Sequence, residues 1–455
     1  MAIKLNKLAI AGVACSAIFA GFSAPAFADT SSVVDKLYEL GVLNDEDYAE
    51  LNKEAKDERR EAAEKAAKDS DPSKISCKYK DGYKCASKDG QFKFQIAGRI
   101  QQDYRQFDTS QVDEFDIRRL YFGIKGTVYG DWNYELTSNL NESNSKSGVT
   151  TTADDNGALE YAFIEYAGNP NAKVRIGSQK FFYSFEEMTS SRFTDFAERS
   201  VVNSFVIAKD RGIQIHGTPI KNQFGYSVGY YQGEGKADEG NNGKGVVGRL
   251  AYNFTGDAGK KKGTIAHIDL AVAQAHADAG DNKDSSGEAK SDTKIFSTVD
   301  TSYDHDERFV NVGTMVAMGP FKFQAENNRY TVSPDGAGSW GVSTRYIAVN
   351  WLLTGENYAD NYSLGGMKAI TPNQTFNSAG GMGAWEIGAR SSVSDVDANG
   401  TSASNTHNTS TTIGLKWIPN HKTRFILNNV RTKYGAAVSS RTSENAWILR
   451  AQLDF

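Results

Sequence analysis

Beyond its first 28 residues the chain has no run of the ~20 apolar residues that a spanning helix requires, and its mean hydropathy is −0.51. A helical membrane protein is thereby excluded. Cysteine is scarce: Cys15 falls inside the leader, away from any lipoprotein cleavage point, and only Cys77 and Cys85 remain. The six histidines (His216, His267, His276, His305, His407, His421) are scattered without ligand spacing. No nucleophile motif or phosphate loop accompanies them. The sequence thus offers no catalytic constellation, and neither an enzyme nor a metal or cofactor is expected. Positive charge is not in excess either. Residues 92–455 hold 37 Lys plus Arg against 40 Asp plus Glu, a balance of −3.

What is present begins with Lys4 and Lys7, followed by "LAIAGVACSAIFAGFSAPAFA". A basic start, an apolar stretch and small residues at Ala26 and Ala28 read as a secretory signal over 1–28, cut between Ala28 and Asp29. Its removal takes the net charge from −5 to −7. Residues 29–69 are rich in Glu, Lys and Ala and read as a charged helical periplasmic segment. Val34, Leu37 and Leu40 form an apolar stripe ending at Gly41, and Asn44 is placed to cap a second helix opening on Asp45, Glu46 and Asp47. Two readings stay open: a solvated helix without partner, or a coiled-coil-like surface that oligomerises weakly or holds another surface. Residues 70–91 form a linker containing "CKYKDGYKC". A three-residue loop Lys80-Asp81-Gly82 would place Cys77 opposite Cys85. In an exported chain this reads as a disulfide-closed hairpin, worth roughly 2–3 kcal/mol in loop closure.

From Phe92 the apolar period becomes two. In "FKFQIAGRIQQDY", Phe92, Phe94, Ile96 and Ile100 alternate with Lys93, Gln95, Arg99 and Gln101. The end of the chain, "WILRAQLDF", repeats the pattern: Trp447, Leu449, Ala451, Leu453 and Phe455 on one face, with Ile448 as the exception on the other. A soluble sandwich also alternates, but these segments have about the ten residues that a tilted strand needs to cross a bilayer. Tight turns ("GDWN", "GNPNAK", "IPNHK") alternate with long polar loops, and aromatics gather near strand ends. An open sheet edge does not survive in lipid, so the sheet must close. A liberal pass yields seventeen strands. Both ends of a bacterial barrel are periplasmic, so the number must be even. Assigning "DTKIFSTVDTSY" to an outer loop leaves sixteen, with residues 355–382 as an unusually long inner connection. The fold class is therefore all-β, a sixteen-stranded antiparallel transmembrane barrel over 92–455.

The segments "FDIRRLYFGIKGTVYGDWNYEL", "IGSQKFFYSFEEMTSSRFTDFAERS", "GPFKFQAE", "WLLTGENY" and "GAWEIGARSSVSDVD" resemble, in order, the phosphate-selective porin O and P family. The resemblance covers roughly Phe92 to Phe455. It implies an outer-membrane homotrimer that passes small, phosphate-like anions. It also implies a terminal aromatic that the barrel assembly machinery reads.

The stretch Gln179 to Gly212 is the longest early loop and, in a barrel of this plan, folds inward to narrow the pore. It carries Lys180, Arg192, Arg199, Lys209 and Arg211. Arginine offers a planar fork suited to phosphate oxygens and lysine a point charge, and rings of such residues select anions. Alternation places Lys93, Arg99, Arg105, Arg119 and Lys125 on the lumen side of the first two strands. Lys173, Arg175, Arg249, Arg390, Arg424 and Arg450 follow on later ones. Arg118 has the wrong parity and is expected at the loop rim. Asp103, Glu135, Glu160 and Glu386 share lumen parity, so wall pairing competes with anion binding for every arginine. The alternative is a general or weakly selective porin whose N-terminal helices link the outer membrane to the cell wall. Outer-membrane lipid is a partner in either case, and nucleic acid is not.

Overall fold

The computed structural model describes residues 30–70, 74–79, 82–108, 113–141, 159–233, 243–256, 263–278, 285–286, 288–290, 294–296, 303–397, 406–438 and 441–455. The signal and its Ala28/Asp29 cleavage position lie outside these residues. Two units are distinguished, 1–74 and 75–455.

In the first unit, α1 (Thr30–Glu39) and α2 (Asp45–Ser70) form a helical hairpin. Asn44 caps α2, its Oδ1 accepting from the Asp47 amide at 2.8 Å. Tyr38 stacks on Tyr48 with centroids 4.1 Å apart, and their hydroxyls donate to Asp45 and Asp35.

In the second unit a hairpin comes first, β1 (Ile75–Tyr79) and β2 (Tyr83–Ser87). Gly82 has φ +105°, a left-handed position that favours glycine, and Cys77 faces Cys85 in register with a disulfide between them. Sixteen wall strands follow. The first eight are β3 (Lys93–Phe107), β4 (Glu114–Val128), β5 (Trp132–Asn139), β6 (Leu159–Tyr166), β7 (Lys173–Lys180), β8 (Lys209–Ile220), β9 (Phe224–Tyr231) and β10 (Lys244–Asn253). The second eight are β11 (Thr264–Ala277), β12 (His305–Met318), β13 (Phe321–Pro334), β14 (Trp340–Leu352), β15 (Ala384–Asp397), β16 (Thr406–Asn420), β17 (Thr423–Val438) and β18 (Arg441–Asp454). Each pairs antiparallel with the next, and β18 pairs back onto β3. Among the described residues, Lys294–Phe296, from the segment assigned to an outer loop, pair with Ser285–Ser286 and with no wall strand.

Burial is inverted relative to a soluble domain. On β14, Ile347, Val349 and Trp351 are 46–57% exposed while Thr344, Tyr346, Ala348 and Asn350 are at most 4% exposed. Apolar side chains out and polar ones in is the arrangement that lipid outside and a polar interior impose. Rings belt the short-turn end: Phe321 stacks on Trp351, and Trp417 lies between Trp385 and Phe425 at 5.7 and 5.4 Å.

The seam differs from a simple meeting of the last strand with Phe92. β18 pairs with β3 only from Arg99 to Phe107. Below that, Lys93 to Ile96 pair with β2 instead, because Phe455 ends the last strand at Gly98. The two exchange backbone hydrogen bonds at 2.9 and 3.1 Å. A β-carbon at Gly98 would lie 2.1 Å from the Phe455 ring. Gly98→Val should therefore displace the terminal ring and destabilise the seam by about 1–3 kcal/mol. Refolding into liposomes, read by heat-modifiable gel mobility, should show a reduced folded fraction; a parental fraction would show that the ring needs no seat. Ile448, the exception to the alternation, is fully buried and packs with Phe107 and Ile426 on the lumen side.

Candidate functional site

The loop between β7 and β8 folds into the barrel. Its apolar residues explain why: Phe181, Tyr183, Phe185, Val202 and Phe205 are all at most 1% exposed. Phe181, Tyr183 and Phe205 pack with Phe309, Tyr330 and Val342 of the facing wall. Ser184 caps the helical turn Phe185–Met188 by accepting from the Glu187 amide at 3.1 Å. Polar bonds then fix the position. The Tyr183 hydroxyl donates to Asn328, Asn328 donates to the Phe205 carbonyl, and the Ala197 amide donates to Asn428.

Two further segments enter the lumen. The long inner connection, residues 353–383, buries Tyr358, Tyr362, Leu364 and Met367, and the Met367 amide donates to Thr189 Oγ1 of the loop at 3.1 Å. From the outer side, Glu288 accepts from the Val201 amide and pairs with Arg390 at 2.7 Å, while the Ala289 carbonyl accepts from Arg105.

Most wall arginines are neutralised by carboxylates. Arg450 and Arg105 both bind Asp103 at 2.7 Å and Glu198 at 2.8 Å. Arg249 holds Asp269 at 2.7 Å, Arg390 holds Glu186 and Glu288, and Arg175 holds Glu165 at 2.6 Å. Arg175 is thus a paired wall residue. Lys173 stands beside it on β7, in register with His216 of β8.

Arg118 corrects the parity argument. Gln101 pairs with Arg119 but Gln102 pairs with Ile117, so a bulge at Arg118 breaks the alternation. Arg118 turns inward and binds Glu198 at 2.8 Å instead of lying at the rim. Lys180, Lys209 and Arg211 are also relocated: Lys180 ends wall strand β7, and the other two belong to wall strand β8 rather than to the loop. Arg211 is in phase with Ile213 and Ile215, which are 46% and 43% exposed.

A different balance holds beside the first part of the loop. Arg99 lies over the Tyr121 ring at 4.3 Å and donates to Ser191 Oγ at 2.9 Å. It is 2% exposed, and its Nε lacks a hydrogen-bond partner among the described residues. Arg119 donates to Gln101 Oε1 at 2.9 Å. Neither makes an ion pair within 4 Å among the described residues; Tyr121, the cations Arg119 and Arg192 and the more distant carboxylate of Asp454 act electrostatically on Arg99, and Glu198 on Arg119. Arg192 is 3.6 Å from Asp454, which also lies 3.8 Å from Arg424. Lys180 and Arg199 share Glu187 at 2.8 and 3.0 Å. Lys209 pairs with Glu160 and lies near the rings of Tyr121 and Tyr161. Six cations therefore converge around Tyr121 and Glu187, with Glu187, Glu160 and the shared Asp454 as their carboxylate partners. Lys125 lies apart, exposed toward the short-turn end. Sequence reasoning missed the two tyrosines: Tyr121 had inward parity, but Tyr161 adjoins Glu160, and only a register shift at Glu160 brings both inward; the cations over the rings came from distant segments.

Comparison with known proteins agrees with this architecture. Porin O of Pseudomonas aeruginosa is 23% identical over 354 residues, spanning 70% of this chain and 76% of that protein. OmpT of Vibrio cholerae superposes with a TM-score of 0.51 at 10% identity, over 80% of this chain and 98% of that one. Its trimer form, covering 80% and 99%, gives 0.50 at 9% identity. The family model described as phosphate-selective porin O and P matches residues 94–455. With the closed sheet, the inverted burial and this match, the chain belongs to the phosphate-selective porin O and P family.

Proposed function

We propose that this outer-membrane porin is an anion channel whose selectivity arises at Arg99, Arg119, Arg192, Arg199, Lys180 and Lys209. One observation supports this above the others: among the described residues Arg99 and Arg119 have no carboxylate within ion-pair distance, where most lumen-facing wall arginines are paired. The barrel as a whole is slightly acidic, so selectivity must be local. Inside a narrow lumen a few uncompensated charges act through a lower effective dielectric than in bulk water. Guanidinium forks suit tetrahedral oxyanions, which favours phosphate-like solutes. A homotrimer, a cleaved signal and recognition of Phe455 by the assembly machinery belong to the same proposal. The trimer form of OmpT is consistent with the first.

Planar-bilayer recording across a potassium chloride gradient tests this reading. A reversal potential of anion sign and block of the chloride current by added phosphate are expected. Cation preference would overturn the anion selectivity, and anion preference without phosphate block would remove the phosphate claim.

A further inference from the structure

The outward face of the barrel does not stay apolar up to its loop end. On β12 the outward residues run Met318, Val316, Thr314, Val312, Val310 and then Arg308. On β13, Asn327 and Arg329 follow Phe321, Phe323 and Ala325. On β14, Arg345 follows Trp351, Val349 and Ile347. On β17, Arg431 and Lys433 stand beyond Phe425, Leu427 and Asn429. Register joins the first three cations: Val310 pairs with Arg329, and Asn327 with Arg345. Each arginine is thus a diagonal neighbour of the next, ~7–8 Å away. The apolar edge steps down in the same sense, from Val310 to Ala325 and Ile347, so the cations follow its border. At the short-turn end β13, β14 and β17 carry rings instead, so the charge belongs to one side of the membrane.

Among the described residues, Arg308, Arg329, Arg431 and Lys433 have no carboxylate within 4 Å. Arg345 is held by Asp395 at 2.7 Å, and Asp306, one outward step beyond Arg308, lies 3.1 Å from His276. Each unpaired cation stands opposite a hydroxyl residue of the next strand. Arg308 faces Thr331 and Arg329 faces Ser343, while Arg431 faces Thr411 and Lys433 faces Thr409. Beneath them Val312, Phe323, Ile347 and Leu427 are 39–57% exposed.

We propose that this outward border of β12–β17 is a docking surface for a phosphorylated glycolipid of the outer leaflet. The apolar side chains below take its acyl chains, the cations its phosphates and the hydroxyl residues its sugar. The long loops mark this end of the barrel as the outer one. A charge at the border of the apolar band lies at headgroup depth, where a lipid rather than bulk water is its neighbour. A zwitterionic headgroup brings no net charge to these cations. A phosphomonoester brings about 1.5–2 negative charges and three acceptor oxygens, which suit guanidinium forks. The hydroxyls of Thr331, Ser343, Thr409 and Thr411 alternate with the charges, and a neutral sugar fits between them better than a further phosphate. The surface faces away from the lumen, so the proposal stands whether or not the channel selects anions.

The test is the purified protein in dodecyl maltoside micelles, titrated with a bisphosphorylated acyl-glucosamine disaccharide and with its dephosphorylated form. Native mass spectrometry reads bound lipid and oligomer mass together. One Lys or Arg beside an anionic headgroup is worth about fivefold in binding, so the parental protein should hold the phosphorylated lipid at least about tenfold more tightly than the other. Arg308→Gln with Arg329→Gln should weaken that binding about fivefold or more. Arg431→Gln with Lys433→Gln, on a separate strand, should do the same and serves if the first variant does not fold. Single-channel conductance should stay parental in both, since none of the four residues faces the lumen. Removing the neutral pair, Arg345→Gln with Asp395→Asn, should leave binding within about twofold of parental. Equal binding of the two lipids by the parental protein, or parental binding in folded variants, overturns the docking surface. A lower oligomer mass in the variants with lipid preference intact also overturns it, and assigns the face to a second copy of the chain.

Discussion

Replacing Arg99 and Arg119 together by glutamine is expected to lower the anion-over-cation permeability ratio about tenfold, equivalent to ~1.4 kcal/mol at the constriction. The direction follows from the ion pairs. Arg105, Arg249, Arg390 and Arg450 each face at least one carboxylate within 3.3 Å, so their fields are largely cancelled. Arg99 and Arg119 have no such partner among the described residues, so on the proposed reading their field is left to act on an anion in the pore, Arg99 from beneath the loop and Arg119 more directly. The magnitude is smaller than the ~4 kcal/mol of a close pair at an effective dielectric of 20, because a hydrated ion in a wet pore keeps part of its water. Glutamine retains hydrogen-bonding capacity at both positions, including toward Gln101 and Ser191, so the wall should stay intact. Reversal potentials at 0.1 M salt give the answer. The matched control removes a neutral pair, Arg249→Gln with Asp269→Asn, and should leave the reversal potential near parental. If both variants behave alike, selectivity does not reside at the unpaired arginines.

The barrel was legible because each wall strand meets lipid on one side and a polar interior on the other. That contrast writes a period of two into β14 and β18 alike. The hairpin was legible from cysteine spacing, and strand parity from the terminus at Phe455. The bulge at Arg118 was not, since one extra residue leaves only a doubled arginine in the sequence. Nor was the inward fold of residues 353–383, whose buried Tyr358, Tyr362 and Met367 follow no period. The pairing of arginines was hidden for a simpler reason. Arg450 and Glu198 are 252 residues apart, and which carboxylate meets which guanidinium is set by where the loop lands. The pairing of β2 with β3 was hidden likewise, because cysteine spacing does not specify it.

Glu198 is where the loop's position and the wall's charge meet, and Glu198→Gln is expected to have the largest structural effect. Its carboxylate is 6% exposed as a residue and receives Arg105, Arg118 and Arg450. These come from β3, from the bulge of β4 and from β18, the strands on both sides of the seam. Asp103 takes a share of Arg105 and Arg450 but, among the described residues, does not come within ion-pair distance of Arg118. Removing the Glu198 charge therefore leaves buried guanidiniums under-compensated around one remaining carboxylate. Breaking a buried pair from one side costs about 3–5 kcal/mol, and here three pairs share the lost partner. The loop has other anchors, Asp195 on Lys322 at 2.6 Å and the Ala197 amide on Asn428 at 2.8 Å, so the barrel should still close. The expected outcome is a lower thermal midpoint in detergent, with larger and noisier single-channel conductance as the loop leaves the wall. A second substitution, Arg118→Gln, should restore part of the midpoint by removing the guanidinium left without a carboxylate. An unchanged midpoint in Glu198→Gln would mean that the apolar residues Phe181, Tyr183 and Phe205 hold the loop without help. Loss of stability with unchanged conductance would mean that this cluster secures the seam and has no part in setting the pore's width.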